Sequence, residues 1–154
     1  MKSMSTWLNE YGESHQNRIN KIIHYICVPA IYMTVFGLLW TLPFPFSDLP
    51  KWLNWSTVIA LPVMIFYFML SAKVGIGMTL FSAVVVAFLN WWEINMSMSV
   101  INMSIIVFII SWVLQFVGHY LEGKKPSFFK DLQFLLIGPA WILCFVFKKA
   151  DINY

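Results

Sequence analysis

Residues 94–121 read INMSMSVINMSIIVFIISWVLQFVGHYL and contain no Asp, Glu, Lys or Arg. An α-helix rises about 1.5 Å per residue, so this run can cross the roughly 30 Å hydrocarbon core of a bilayer. Residues 22–47, 52–72 and 74–92 are equally free of formal charge. A backbone facing lipid must satisfy its own hydrogen bonds, which makes helix the default for each run. The expected spans are 25–42, 55–72, 75–92 and 100–118. The chain is therefore expected to be an all-α integral membrane helical bundle of four spanning helices.

Composition agrees. Of the 154 residues, 60% are apolar and only 11% charged, against about a quarter charged in an ordinary soluble domain. The net charge of +3 is modest and its lysines are dispersed, so there is no basic patch of the kind nucleic-acid binding requires. Cys27 and Cys144 lie within apolar stretches and fit neither a disulfide framework nor a zinc pattern. Lys2, Glu10, Glu13, Arg18 and Lys21 precede the first apolar run, so no cleavable signal peptide is expected. One membrane domain, 1–154, is predicted: an N-terminal segment 1–24, four spans over 25–118, and a loop with a last segment over 119–154.

That last segment, 132–147, has 16 uncharged residues interrupted by Gly138-Pro139. Proline removes a backbone donor and disfavours helix in the residue before it, so a kinked or re-entrant fifth element is expected. Pro29 and Pro62 are placed near the starts of the first two spans, where a missing N–H costs least. The turn from Ser71 to Gly75 is tight enough to make spans two and three an antiparallel hairpin. Tyr25, Trp40, Trp52, Trp55, Trp91, Trp92 and Tyr120 mark expected membrane interfaces.

Four spans put the N-terminus, the turn at Lys73 and everything after residue 118 on one side. That side holds Lys2, Arg18, Lys21, Lys73, Lys124, Lys125, Lys130, Lys148 and Lys149, and the other holds Lys51 alone. The positive-inside rule then predicts that both termini face the cytoplasm, in a bacterial inner membrane or the endoplasmic reticulum. His15 and His24 precede the first span and His119 follows the fourth, so topology gathers all three imidazoles at that face. At helical spacing Gln115, His119 and Glu122 share one side, as do Asn17, Asn20 and His24. Gly118 allows another backbone to approach closely.

Polar groups at the edge of hydrocarbon are costly, which favours a functional reading. Three neutral imidazoles with a carboxylate suit Fe(II), Zn(II) or Mn(II) better than Mg or Ca. Glu122 is the nearest candidate carboxylate and Glu13 the second; Asn17, Asn20 and Gln115 are placed to orient ligands. Against this stands the plain alternative that an interfacial histidine is merely solvated, and that Glu122 with Lys124 and Lys125 forms an ordinary loop. The lysine pair is read as a topology determinant with a secondary role in binding a fatty-acid carboxylate or lipid headgroup. GxSxG, Walker A and HExxH motifs are absent, which removes the hydrolase, nucleotide-binding and zincin readings.

The stretch His15-Gln-Asn17-Arg-Ile-Asn20-Lys-Ile-Ile-His24, followed by Pro29, resembles the N-terminal signature of a family of small membrane proteins. Trp112-Val-Leu-Gln115-Phe-Val-Gly118-His119, with Glu122 and Lys125-Pro126, is similar to its second signature, and Gly138-Pro139 to a third. The family is that of membrane 2-hydroxy fatty acid dioxygenases, the yeast fatty-acid alpha-oxidation enzyme and its small bacterial relatives. The resemblance implies an Fe(II)-dependent enzyme using O₂ to shorten a 2-hydroxy fatty acid by one carbon. It implies His15, His24 and His119 as metal ligands, with Asn17, Gln115 and Glu122 as accompanying catalytic positions. Two positions depart from the pattern: Phe145 stands where a carboxylate is expected after Gly-Pro, and Glu93 lacks a neighbouring histidine. Outside the resemblance, a haem-binding subunit with His24 and His119 as axial ligands, or a non-catalytic scaffold or small transporter, also fits the sequence.

Overall fold

The computed structural model describes residues 3–46, 48–123 and 134–153. Its helices are α1 (Met4–Gly12), α2 (Arg18–Trp40), α3 (Trp55–Leu70), α4 (Ala72–Asn95), α5 (Val100–Glu122) and α6 (Ile137–Lys149). No strand occurs among the described residues. Three helices, α2, α4 and α5, are long and apolar enough to cross a membrane. α3 is apolar but has 16 residues, about 24 Å at helical rise. The expected count of four full-length spans is thus met in number of apolar helices but not in length.

α2 begins at Arg18, seven positions before the expected start of the first span. Asn17 caps it, its Oδ1 accepting from the N–H groups of Ile19 at 2.8 Å and Asn20 at 3.4 Å. A charge-free run marks where lipid begins, not where the helix does, so the polar first turns fall outside such a run. Pro29 consequently lies in the helix interior rather than near its start, as does Pro62 in α3. At Pro29 the missing N–H leaves the carbonyl of Tyr25 without its usual helical donor.

α3 and α4 form the expected hairpin, with Ser71 serving as the C-cap of one and the N-cap of the other. Its side chain accepts from Val74 N–H while its own N–H donates to Tyr67 O at 3.0 Å. α2 and α5 form the most extensive helix pair and run antiparallel, Asn20 facing Gly118 near one end and Gly37 facing Ser104 towards the other. At both glycines a methyl group would collide with the opposing side chain, so this pair packs closer than any larger residue permits. Tyr32, Phe36 and Trp40 of α2 build the core with Tyr67 of α3 and Met78, Val85 and Leu89 of α4.

The outer surface is apolar where water would require otherwise. Leu80 and Val84 of α4 are 64% and 65% exposed, and Ile105, Ile106, Ile109, Ile110 and Val113 of α5 are also exposed. Contiguous apolar surface on this scale is foreign to a soluble monomer and fits a lipid-facing belt.

Helix ends sort into two groups. At one end, Trp40 Nε1 donates to Glu93 Oε2 at 2.8 Å, and Lys51 lies 3.6 Å from the same carboxylate. The other end holds α1, the start of α2, the Ser71 turn, the end of α5 and α6. Lys73 Nζ donates to Asn153 O there.

Of the kinked and re-entrant alternatives expected for the last segment, α6 shows no kink at Gly138-Pro139. Gly138-Pro139 lies in its first turn, where helical N–H groups have no partner anyway, and the helix then runs to Lys149 without a break. Its 13 residues span about 20 Å, less than the bilayer core. Tyr67 Oη anchors its start by donating to Leu136 O at 2.7 Å. Gly138 packs beside Val28, one turn beyond His24, so α6 begins alongside the bundle and returns to its end. The segment leading into it, with Lys124, Lys125 and Pro126, lies outside the described residues.

Candidate metal centre

Each histidine comes from a different element. His15 sits on the connection between α1 and α2. Its Nδ1 lies 2.6 Å from Tyr11 O, and its ring stacks on the Tyr11 phenol with centroids 4.2 Å apart and planes at 10°. His24 occupies the second turn of α2, with Nδ1 3.0 Å from Asn20 O. His119 is in the last turn of α5, just before Gly123 ends the helix at φ 71°, a left-handed conformation suited to glycine. A carbonyl oxygen only accepts, so Nδ1 of His15 and of His24 carries the proton. That leaves Nε2 as the lone-pair nitrogen of both rings, the tautomer used by metal-bound histidines held through backbone carbonyls.

The three rings converge. Centroid separations are 4.2 Å for His15–His24, 4.9 Å for His24–His119 and 5.3 Å for His15–His119. One nitrogen from each lies within 4.8 Å of the others, and the side chains are only 3%, 2% and 6% exposed. Metal–nitrogen bonds of about 2.0–2.1 Å put ligand nitrogens about 3–3.5 Å apart, so a bound ion would require the cluster to close by about an ångström. Three imidazoles buried together, two of them with Nδ1 protonated and Nε2 carrying the lone pair, are a donor set that fits a divalent transition metal.

A cavity of about 30 Å³ adjoins the rings, walled by Val28, Ile31, Trp112 and Gln115 on the bundle side and by Phe134 and Gly138 on the other. It has room for an ion and one or two small ligands, a single water needing about 10–15 Å³ by the same measure. A porphyrin between His24 and His119 has no space, and rings 4.9 Å apart are too close to bracket one. The haem alternative is therefore set aside.

Glu122 lies beside the cluster and its oxygens are engaged. Oε1 accepts from Gln16 N at 2.7 Å, and Oε2 accepts from Asn17 N at 2.8 Å and Asn20 Nδ2 at 3.0 Å. The carboxylate thus sits at the N-terminus of α2, where exposed N–H groups and the helix dipole favour an anion. Asn17 caps α2 and reaches Leu121 O with Nδ2 at 3.4 Å. Asn20, fully buried, also donates to Ser14 O at 3.2 Å. Gln115 is buried one turn from His119 and lines the cavity.

Other candidates fall elsewhere. Glu93 is bonded to Trp40 at the opposite end of the bundle. Glu13 is exposed on the rim of a groove between α1 and α6. Phe145 stacks on Tyr25, and Lys124 and Lys125 are outside the described residues. Sequence reasoning missed the aromatic wall behind His15. Trp141 packs against both His15 and Tyr11, at 5.8 and 5.3 Å. Tyr11, four residues before His15, was a readable signal had α1 been recognised as a helix.

Residues 1–150 match the family described as 2-hydroxy-palmitic acid dioxygenase, Mpo1-like, and the chain belongs to that family. Neither the curated proteins nor the solved structures include a match.

Proposed function

We propose that this chain is an Fe(II)-dependent membrane dioxygenase that shortens 2-hydroxy fatty acids by one carbon. The observation that carries the reading is the set of three buried imidazoles, one nitrogen of each within 4.8 Å, at one end of an apolar bundle. His15, His24 and His119 hold the ion, and Glu122, Asn17 and Asn20 fix the two histidines on either side of the α2 start. When bound there, Fe(II) supplies Lewis acidity and a site for O₂. The overall change balances with O₂ alone: R–CH(OH)–COOH and O₂ give R–COOH, CO₂ and H₂O.

The protein's part is positional. The cavity walls of Val28, Ile31 and Trp112 keep bulk water from the imidazoles. Gln115 offers an amide one turn from His119, within the same cavity, to orient a polar headgroup. An acyl chain stays in lipid while its head reaches the metal, which favours reaction by proximity. We place the histidine end on the cytoplasmic side, with α2, α3, α4 and α5 crossing the bilayer, because all described lysines but Lys51 gather there.

Purified protein supplied with Fe(II), O₂ and 2-hydroxypalmitate should yield a C15 acid and CO₂. Metal analysis should show stoichiometric iron in the wild type and its loss in His119→Ala. If each His→Ala variant kept the metal content of the wild type, the chain would be a scaffold or transporter and not this enzyme.

A further inference from the structure

The cavity at the imidazoles, about 30 Å³, cannot hold an acyl chain. A second depression adjoins it. Between α1, the start of α2 and α6 lies a groove of about 730 Å³, within the usual size of small-molecule sites. His15 lines both spaces and so forms the wall they share.

Its lining divides by chemistry. Met4 and Leu8 of α1 face Trp141, Cys144 and Phe145 of α6 as an apolar trough. Lys21 and Lys148 also line it, and neither ammonium group makes a hydrogen bond or ion pair among the described residues; Glu13 is the single acidic residue there. Burying a chain of methylenes while leaving two ammonium groups beside its head selects an anionic amphiphile over a neutral one. Trp141 joins the two halves, since its indole lines the groove and packs on His15.

We infer that the α1–α6 groove binds a single-chain fatty-acid anion, with Lys21 and Lys148 capturing the carboxylate before the head passes His15 to the metal centre. This rests on the dioxygenase reading for its substrate but on the groove's own lining for its place. Gln16 and His15 line the same groove, so a headgroup held in it has the metal centre at its wall.

Photo-crosslinking tests this without turnover. Full-length protein in phosphatidylcholine nanodiscs is labelled with palmitate or hexadecanol, each bearing a chain-end diazirine, and the labelled residues are mapped by mass spectrometry. Palmitate labels should concentrate on the α1 and α6 peptides, exceeding hexadecanol there about fivefold, the scale of one charge contact near an interface. Lys21→Gln with Lys148→Gln should reduce palmitate labelling to the hexadecanol level. Equal labelling by the two probes, or labelling spread over the lipid-facing sides of α4 and α5, would overturn the inference. So would suppression by added phosphatidylglycerol, which would make a phospholipid the occupant. Metal content of wild type and His119→Ala, measured on the same samples, reports on the metal centre separately.

Discussion

The carboxylate of Glu122 meets three N–H donors at the head of α2, and two of the three imidazoles flank that joint in sequence. His15 lies just before the Gln16 and Asn17 N–H groups that the carboxylate accepts, and His24 hangs from the carbonyl of Asn20, whose side chain is the carboxylate's third donor. Loss of its charge should therefore loosen the site without removing a ligand. Glu122→Gln should weaken metal affinity about 10–100-fold, the range for groups that orient ligands, whereas His24→Ala should abolish binding. Competition against a calibrated chelator separates these outcomes. Loss of metal in Glu122→Gln as complete as in His24→Ala would make Glu122 a ligand. Gly118 acts at the same joint through size. A methyl group there would drive into Asn20 Oδ1, and overpacking of this kind costs about 1–3 kcal/mol. Gly118→Ala should lower the thermal midpoint in detergent and weaken metal binding with it. An unchanged midpoint would show that α2 and α5 can separate at no cost.

Among the elements, the antiparallel pair of α2 and α5 brings His24 and His119 together, because one helix starts where the other ends. Asn17 secures that start, and losing an N-cap of this type costs about 1 kcal/mol. In Asn17→Ala the amides of Ile19 and Asn20 should exchange faster with deuterium while those near Phe36 keep their protection. Uniform acceleration would indicate global loosening and remove Asn17 from this role. The gathering of the three imidazoles at one end was legible in the sequence, from four apolar runs and the positions of His15, His24 and His119 relative to them; the α2–α5 pairing that brings two of them together was not. The start of α2 was not, since Arg18, Asn20 and Lys21 belong to a helix but not to an apolar run. Nor was the role of Gly138-Pro139 legible, because a break in a pattern has the same sequence whether it kinks a helix or begins one. Local rules identify the interruption, and only the packing of Gly138 against Val28 and Tyr11 decides between the two.

At the scale of the whole molecule, charge and apolar surface are separated along one axis. Between the two ends, α4 and α5 carry an exposed apolar belt, and formal charge sits beyond it. Sequence spacing alone anticipated this sorting, because a bilayer acts on runs of residues. The groove between α1 and α6 is not legible in the sequence, since it depends on aromatic contacts such as Tyr11–Trp141 that link distant positions. The proposed sidedness rests on the lysine imbalance, because positively charged flanks are retained on the cytoplasmic face. Single cysteines test it directly. Trp52→Cys lies on the Lys51 side and is 53% exposed in the native residue, while Asn153→Cys reports the histidine end. Native Cys27 and Cys144 are buried, so they contribute little background. In sealed right-side-out vesicles a membrane-impermeant maleimide should label position 52 and leave position 153 unmodified until the membrane is permeabilised. The reverse pattern would place the histidines outside. Labelling at both positions would mean that the chain crosses an even number of times between them, with α3 too short to complete its span.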